Sequence, residues 1–155
     1  MKFSDAIIAT ASLVLFGLIL NAFLLVAFGS ASPSSTSDTI ASVVTPLVVS
    51  LIVGYVFALD IQSESKLRAI GVIVVLTGFT YLIFQAIWMA TPFAAPWMRD
   101  SLNTMFNRTS WTDYDLNAYA ALAASVLTIM AMVIVFIGLY VGSMLRKPSA
   151  NVRAH

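Results

Sequence analysis

The chain has 155 residues, of which 60% are hydrophobic and only 10% are charged, and its mean hydropathy is +0.94. Soluble domains carry about 25% charged residues, so this composition predicts an integral membrane protein, and a net charge of +1 offers no basic surface for nucleic acid. Because there is no cysteine and His155 is the only histidine, disulfides, iron–sulfur clusters and internal histidine-ligated metal or haem sites are excluded, and we expect no cofactor.

Four apolar runs are long enough to cross a bilayer, whose hydrocarbon core takes about 20 helical residues. They predict an all-α integral membrane protein that forms a single domain over 1–155. The expected architecture is a four-span up-down transmembrane helix bundle with one short interfacial amphipathic helix in the outer loop. The spans are predicted at about 6–28, 40–59, 69–90 and 115–143, and the interfacial helix at about 96–107.

The first run extends from Ala6 to Phe28 without a charged residue. A cleaved signal peptide is the competing interpretation, but the apolar core of a signal peptide has only about 7–15 residues. We therefore expect a retained span. Four residues, Ala6, Thr10, Gly17 and Asn21, fall on one narrow face at about 100° per residue, and we expect this face to look into the bundle.

The second run contains Pro46, which removes one helical hydrogen bond. A helix that began at Pro46 would be too short to span, so we expect the helix to continue through it with a kink, which bundles tolerate. Ser50, Gly54 and Ala58 recur every four residues and predict a contact ridge of small side chains. A short charged turn, 60–68, follows.

The third run shows two patterns at helical spacing. Gly71, Gly78 and Gln85 repeat every seven residues and predict a second packing seam. A separate aromatic stripe is interpreted as packing or lipid contact, with a pigment, quinone or lipid pocket as the alternative. Its members are Tyr81, Phe84 and Trp88.

The outer loop, 91–111, contains the predicted amphipathic helix after Pro96. Its polar side carries Arg99 and Asp100, and its apolar side belongs to an expected interfacial platform in the headgroup layer. The platform residues are Trp88, Trp97, Met98, Leu102, Phe106 and Trp111. Thr112 and Asp115 match a capping box, so the last helix is predicted to begin before it enters the membrane.

The last run, 117–142, carries the most regular pattern in the chain. Small residues recur at steps of four and three along one side, and they permit the close backbone approach that drives helices together in lipid. We expect the other spans to pack against this helix. The seam consists of Ala121, Ala124, Thr128, Ala131, Gly138 and Gly142.

Polar side chains within the apolar runs are few, and none of them is Asp, Glu, Lys, Arg or His. We expect them to form hydrogen bonds between helices. Four of them lie near the outer ends of their spans and predict a hydrogen-bonded polar layer in the outer leaflet. These residues are Asn21, Thr45, Gln85 and Asn117.

Lys and Arg are distributed unequally between the two sides of the predicted bundle. Six lie on the side of both termini and two lie in the outer loop, which predicts cytoplasmic termini and a plasma or cytoplasmic membrane. Ser65 should then be cytoplasmic, and Ser34 and Asn103 should be external. The inner residues are Lys2, Lys66, Arg68, Arg146, Lys147 and Arg153, and the outer ones are Arg99 and Arg108.

Three classes of function remain open, and a non-catalytic accessory subunit of a larger membrane complex is favoured. Its expected partners are other membrane subunits and lipid. The alternative is a small homo-oligomeric channel or carrier for an ion or small solute. A membrane enzyme or ligand-binding protein is the third class, but Asp100, Asp113 and Asp115 are the only candidates for an outer cation site, and Asp115 is better explained as a cap.

Overall fold

A computed structural model describes residues 1–28, 36–62, 65–89, 91, 94–107 and 110–146. Ser34, Arg108, Lys147 and Arg153, which entered the topology prediction, lie outside these residues. Within the described ranges all regular structure is helical, as predicted. The helices are α1 (Phe3–Phe28), α2 (Thr36–Val56), α3 (Ala58–Gln62), α4 (Lys66–Met89), α5 (Ala94–Phe106) and α6 (Asp113–Leu145).

Three of these helices are long and apolar enough to cross a membrane, over Phe3–Phe23, Lys66–Ile87 and Asp113–Leu145. This supports an integral membrane protein. Over the residues of α2 whose side chains the structure describes, the apolar part is Val43–Val56, which is shorter than the usual span of about 20 residues. The second of the four predicted spans therefore stays a prediction.

The helix α2 passes through Pro46 without interruption and ends at Val56. The single residue Phe57 separates it from α3, and the hydrogen bonding hardly breaks there: the Phe57 amide donates to the Val53 carbonyl and the Ile61 amide to the Phe57 carbonyl, both at 2.9 Å. The predicted charged turn, 60–68, is wrong at both ends: 60–62 belong to α3, whose backbone donors find carbonyls four residues back, and 66–68 belong to α4.

The long helices alternate in direction. The first turns of α1 and α4 lie together, since Lys2 and Arg68 line one cleft. The last turns of α2 and α6 reach the same end, because Arg146 donates to the Val56 carbonyl at 3.0 Å. The main core lies among these four helices, and its buried side chains are Ala6, Ala9, Leu13, Val49, Val53, Ile61, Ala69, Ile70, Ile73, Val74, Val135 and Leu139.

A second, smaller core joins α5 to the beginning of α6. Met98 and Leu102 of α5 are buried against Leu116 and Ala120 of α6. The helix α6 has 33 residues, about 50 Å at 1.5 Å per residue, which exceeds a hydrocarbon core of about 30 Å. One end of α6 therefore extends beyond the span, and α5 covers its first turns.

The beginning of α6 carries the predicted capping box, which the structure confirms. The Thr112 hydroxyl accepts a hydrogen bond from the Asp115 amide at 3.2 Å, and the Asp115 carboxylate accepts from the Thr112 amide at 3.0 Å. Two amides that lack a helical carbonyl are thereby satisfied. The cap fixes the point at which the chain leaves the outer loop and starts its longest helix.

Candidate functional site

The small-residue seam of α6 is buried in its C-terminal half and open in its N-terminal half. Gly138 and Gly142 are buried, as is Thr128, whereas Ala124 and Ala131 are half-buried and Ala121 is exposed. The buried half meets the ridge of α2. A Cβ added to Gly138 would strike the Ser50 hydroxyl, and one added to Gly142 would strike the Leu51 carbonyl oxygen.

The two glycines of the α4 seam have different surroundings. A Cβ on Gly78 would lie 2.7 Å from the Met132 sulfur of α6, whereas one on Gly71 would meet nothing within 4 Å. Both glycines share the seven-residue spacing, but only Gly78 lies at a close helix contact. Gln85, the third member, is half-buried.

The four residues of the predicted polar layer have unequal exposure. Asn21 and Asn117 are exposed, Gln85 is half-buried and Thr45 is buried. The Thr45 hydroxyl has no hydrogen-bond partner within the described part of the chain. A layer that joins these residues stays a prediction.

Apart from Thr45, the hydroxyl side chains described within the predicted spans donate to carbonyls of their own helices, which differs from the interhelical bonds expected from the sequence. Thr10 donates to Ala6 O at 2.8 Å, and Thr128 donates to Ala124 O at 2.7 Å. The carbonyl three or four residues back is always within reach of a short hydroxyl side chain, so no neighbouring helix is required. The same local pattern holds for Ser12, Ser50, Thr77, Thr80, Ser125 and Ser143.

The described platform residues lie near Trp111, at the junction of α5 and α6. Its indole N–H donates to the Asn103 side-chain oxygen at 2.8 Å, and its ring meets Phe106 edge-on with centroids 5.8 Å apart. The helix α5 ends after Phe106, where Asn107 adopts a φ of 50°, a left-handed conformation that asparagine tolerates at helix ends. The side chains of Trp88 and Trp97 are not among those described, and the position of α5 in the headgroup layer stays a prediction.

A group of polar contacts lies at the end of the bundle where α2 and α6 terminate, and the sequence does not predict it. Gln62 donates through Nε2 to the Ser143 carbonyl at 2.6 Å, and the Lys66 ammonium lies 4.4 Å from the centre of the Tyr140 ring. Together with the bond from Arg146 to Val56 described above, these contacts join α2, α3, α4 and α6. No local spacing signals them, because their partners lie far apart in the chain.

The carboxylates considered for a cation site do not gather. Asp115 belongs to the capping box of α6, and no group of three His, Cys, Asp or Glu side chains suited to a metal ion occurs within the described ranges. In the aromatic stripe, Tyr81 is half-buried and Phe84 is exposed.

The chain was also compared with known proteins. No family model, curated protein or solved structure matches it.

Proposed function

We propose that this protein is a non-catalytic accessory subunit of a larger membrane complex, with four spans and cytoplasmic termini. The observation that carries the proposal is the exposure of Asn21 on α1, a helix whose other polar side chains from Ala6 onward are those of Thr10 and Ser12. The residue lies seven positions before Phe28, about 11 Å along the helix, and thus within a span. An amide in lipid without a partner loses the hydrogen bonds that it has in water.

The uncovered half of the α6 seam supports the same proposal. Ala121 is exposed and Ala124 is half-buried, so the small-residue face continues beyond the part that α2 occupies. Small faces favour helix contact in lipid. Another subunit at this face would cover the alanines, and an amide or carbonyl of a subunit that packs against α1 would satisfy Asn21.

The chemistry of the chain agrees with a role in assembly. It has no cysteine, no histidine before residue 155 and no Asp, Glu, Lys or Arg within its apolar runs. Redox, metal and proton-coupled functions in membranes rely on such groups. In the proposed complex, those reactions belong to the partner subunits.

Site-specific photocrosslinking in native membranes tests the proposal. A photoreactive residue at position 21 is compared with one at Ile19, which is also exposed and lies two residues away on nearly the opposite side of α1. We expect position 21 to crosslink to a different membrane polypeptide and position 19 to react with lipid. Equal, lipid-only reaction at both positions would contradict the proposal.

A crosslink from position 21 to a second copy of the chain would instead support the homo-oligomeric channel or carrier. Selective flux through the purified chain in liposomes, abolished by Asn21→Leu, would establish that alternative. For the accessory role we expect Asn21→Leu to lower the amount of assembled complex and to leave its activity per particle unchanged.

A further inference from the structure

An apolar groove runs along the contact between α1 and α4. Its volume is about 420 Å³. Its walls present aliphatic side chains almost throughout, and the residues that define its course are Ile7, Ala11, Leu15 and Leu18 of α1 with Leu76 and Thr80 of α4. The groove is open on one side, which in a membrane is the side of the lipid.

The hydroxyls of the groove are already satisfied. Thr10 donates to the Ala6 carbonyl at 2.8 Å and Thr80 donates to the Leu76 carbonyl at 2.9 Å. Their donors are therefore used within their own helices. The groove suits a hydrocarbon chain and has little to offer a polar ligand.

A basic cleft lies between the first turns of the same two helices. Its volume is about 270 Å³, and Lys2 and Arg68 line it together with Phe3 and Val72. Both basic side chains are exposed. The nearby Asp5 carboxylate accepts a hydrogen bond from the backbone amide of Lys2 at 3.0 Å.

The cleft and the groove lie in line along the same two helices. On α4, Arg68 and Val72 of the cleft are followed at four-residue steps by Leu76 and Thr80 of the groove. Residues four apart lie one above the other on a helix, so these four form a single row. A similar row lies on α1. Phe3 of the cleft is followed at four-residue steps by Ile7, Ala11 and Leu15 of the groove.

The length of the groove matches one leaflet. Ile7 and Leu18 are separated by about 17 Å at 1.5 Å per residue, and half of a hydrocarbon core of about 30 Å is about 15 Å. Lys2 lies more than one turn beyond Ile7, which places its ammonium group at the level of the lipid headgroups.

We propose that an anionic phospholipid occupies the cleft and the groove. Its phosphate binds Lys2 and Arg68, and one acyl chain lies in the groove between α1 and α4. The charge of the cleft selects the headgroup, because basic residues at the membrane surface attract anionic lipid. This inference goes beyond the accessory role and requires only that α1 and α4 lie in a membrane.

The experiment uses the purified full-length chain in nanodiscs that contain equal amounts of dioleoylphosphatidylglycerol and dioleoylphosphatidylcholine. Native mass spectrometry of the released protein counts the retained lipids. We expect preferential retention of the anionic lipid. Arg68→Ala should lower its retention about fivefold, and Lys2→Ala with Arg68→Ala about 30-fold. Arg99→Ala removes an exposed basic residue from α5, at the other end of the bundle, and should change nothing.

A second variant tests the groove separately from the charge. Ala11→Phe places a large ring on the groove wall at an exposed position, and it should lower retention of both lipids while circular dichroism still shows a helical protein. Equal anionic retention by the Arg68 and Arg99 variants would overturn the proposal, as would unchanged retention in Ala11→Phe. Because no partner protein is present, neither outcome depends on the accessory role.

Discussion

Gly54 of α2 lies directly against the backbone of Leu139 in α6. A Cβ placed on Gly54 would be 2.6 Å from the Leu139 carbonyl oxygen and 2.8 Å from its Cα. Backbone atoms cannot move aside as the end of a flexible side chain can. The helices α2 and α6 therefore approach this closely only because residue 54 has no side chain. Ser50 and Gly138 extend this close contact by one turn. The pair α2–α6 is the tightest packing in the main core.

Gly54→Ala is expected to destabilise the protein by about 1–3 kcal/mol, the usual cost of overpacking a close contact. Gly71→Ala is the matched control, because a Cβ there meets nothing within 4 Å. It should be neutral or stabilising by up to about 1 kcal/mol, since alanine is the better helix former. Reversible unfolding in mixed micelles gives both free energies. Equal effects of the two substitutions would contradict the close approach of α2 and α6.

The Trp111–Asn103 hydrogen bond should hold α5 against α6. Trp111→Phe keeps an aromatic ring beside Phe106 but removes the indole donor, and Asn103→Ala removes the acceptor. Each change should cost about 1 kcal/mol, which corresponds to about fivefold faster hydrogen exchange of the α5 amides.

The double variant separates this bond from unrelated effects. If the two side chains act through one hydrogen bond, the α5 amides of the double variant should exchange at most about twofold faster than those of the single variant that exchanges faster. Strictly additive effects would show that the bond does not hold α5 in place. Thr104→Ala, an exposed position on α5 whose hydroxyl bonds only within the helix, is the control.

Much of this architecture follows from the sequence because lipid leaves few alternatives to helices. The apolar runs predicted α1, α4 and α6, and the four-residue spacing identified Ser50 and Gly54 on α2 and Gly138 on α6, which the structure brings together. Spacing shows which residues share a face of a helix. It does not show which neighbour, if any, meets that face.

That distinction explains what sequence reasoning missed. Gly71 and Gly78 have the same spacing, but only Gly78 meets another helix closely. The bond from Gln62 to Ser143 joins residues 81 positions apart, and it depends on the crossing of helices that no local pattern specifies. The sequence predicts interhelical bonds for the hydroxyl residues, whereas Thr10 and Thr128 donate to carbonyls of their own helices, which are within reach whatever the neighbouring helix.

The Lys66–Tyr140 contact predicts a difference between two substitutions at one position. Tyr140→Phe keeps a ring under the ammonium and beside Phe136, whose centroid is 6.3 Å away, whereas Tyr140→Leu removes both contacts. An exposed cation–π pair contributes about 0.5–1 kcal/mol, so Tyr140→Leu should lower the free energy of unfolding by at least that amount. Tyr140→Phe should stay within about 0.5 kcal/mol of the unmodified protein.

Lys66→Met isolates the cation–π part of this effect. When Lys66 is replaced by Met, the difference in the free energy of unfolding between Tyr140→Phe and Tyr140→Leu should shrink by about 0.5–1 kcal/mol. The remaining difference then reports only the loss of the Phe136 contact. Unfolding in mixed micelles again provides the measurement. An unchanged difference would mean that the ammonium contributes nothing at this site.

The last prediction concerns α2, the helix whose apolar part is short. If α2 crosses the membrane, Ser34 before it and Ser65 after it lie on opposite sides; if it does not, they lie on the same side. Single cysteines at these positions in the cysteine-free chain report this directly when intact cells are treated with an impermeant thiol reagent. Thr104, which is exposed on α5, replaces Asn103 as the second external probe because Asn103 accepts the Trp111 hydrogen bond.

We expect labelling at positions 34 and 104 and protection at position 65 until the cells are permeabilised. The physical reason is the distribution of charge: Lys66, Arg68 and Arg146 lie at one end of the bundle with Lys2, and basic residues remain on the cytoplasmic side. Labelling at 65 alone would reverse the orientation. Protection at both 34 and 65, with labelling at 104, would leave α2 on the cytoplasmic side and contradict the four-span bundle.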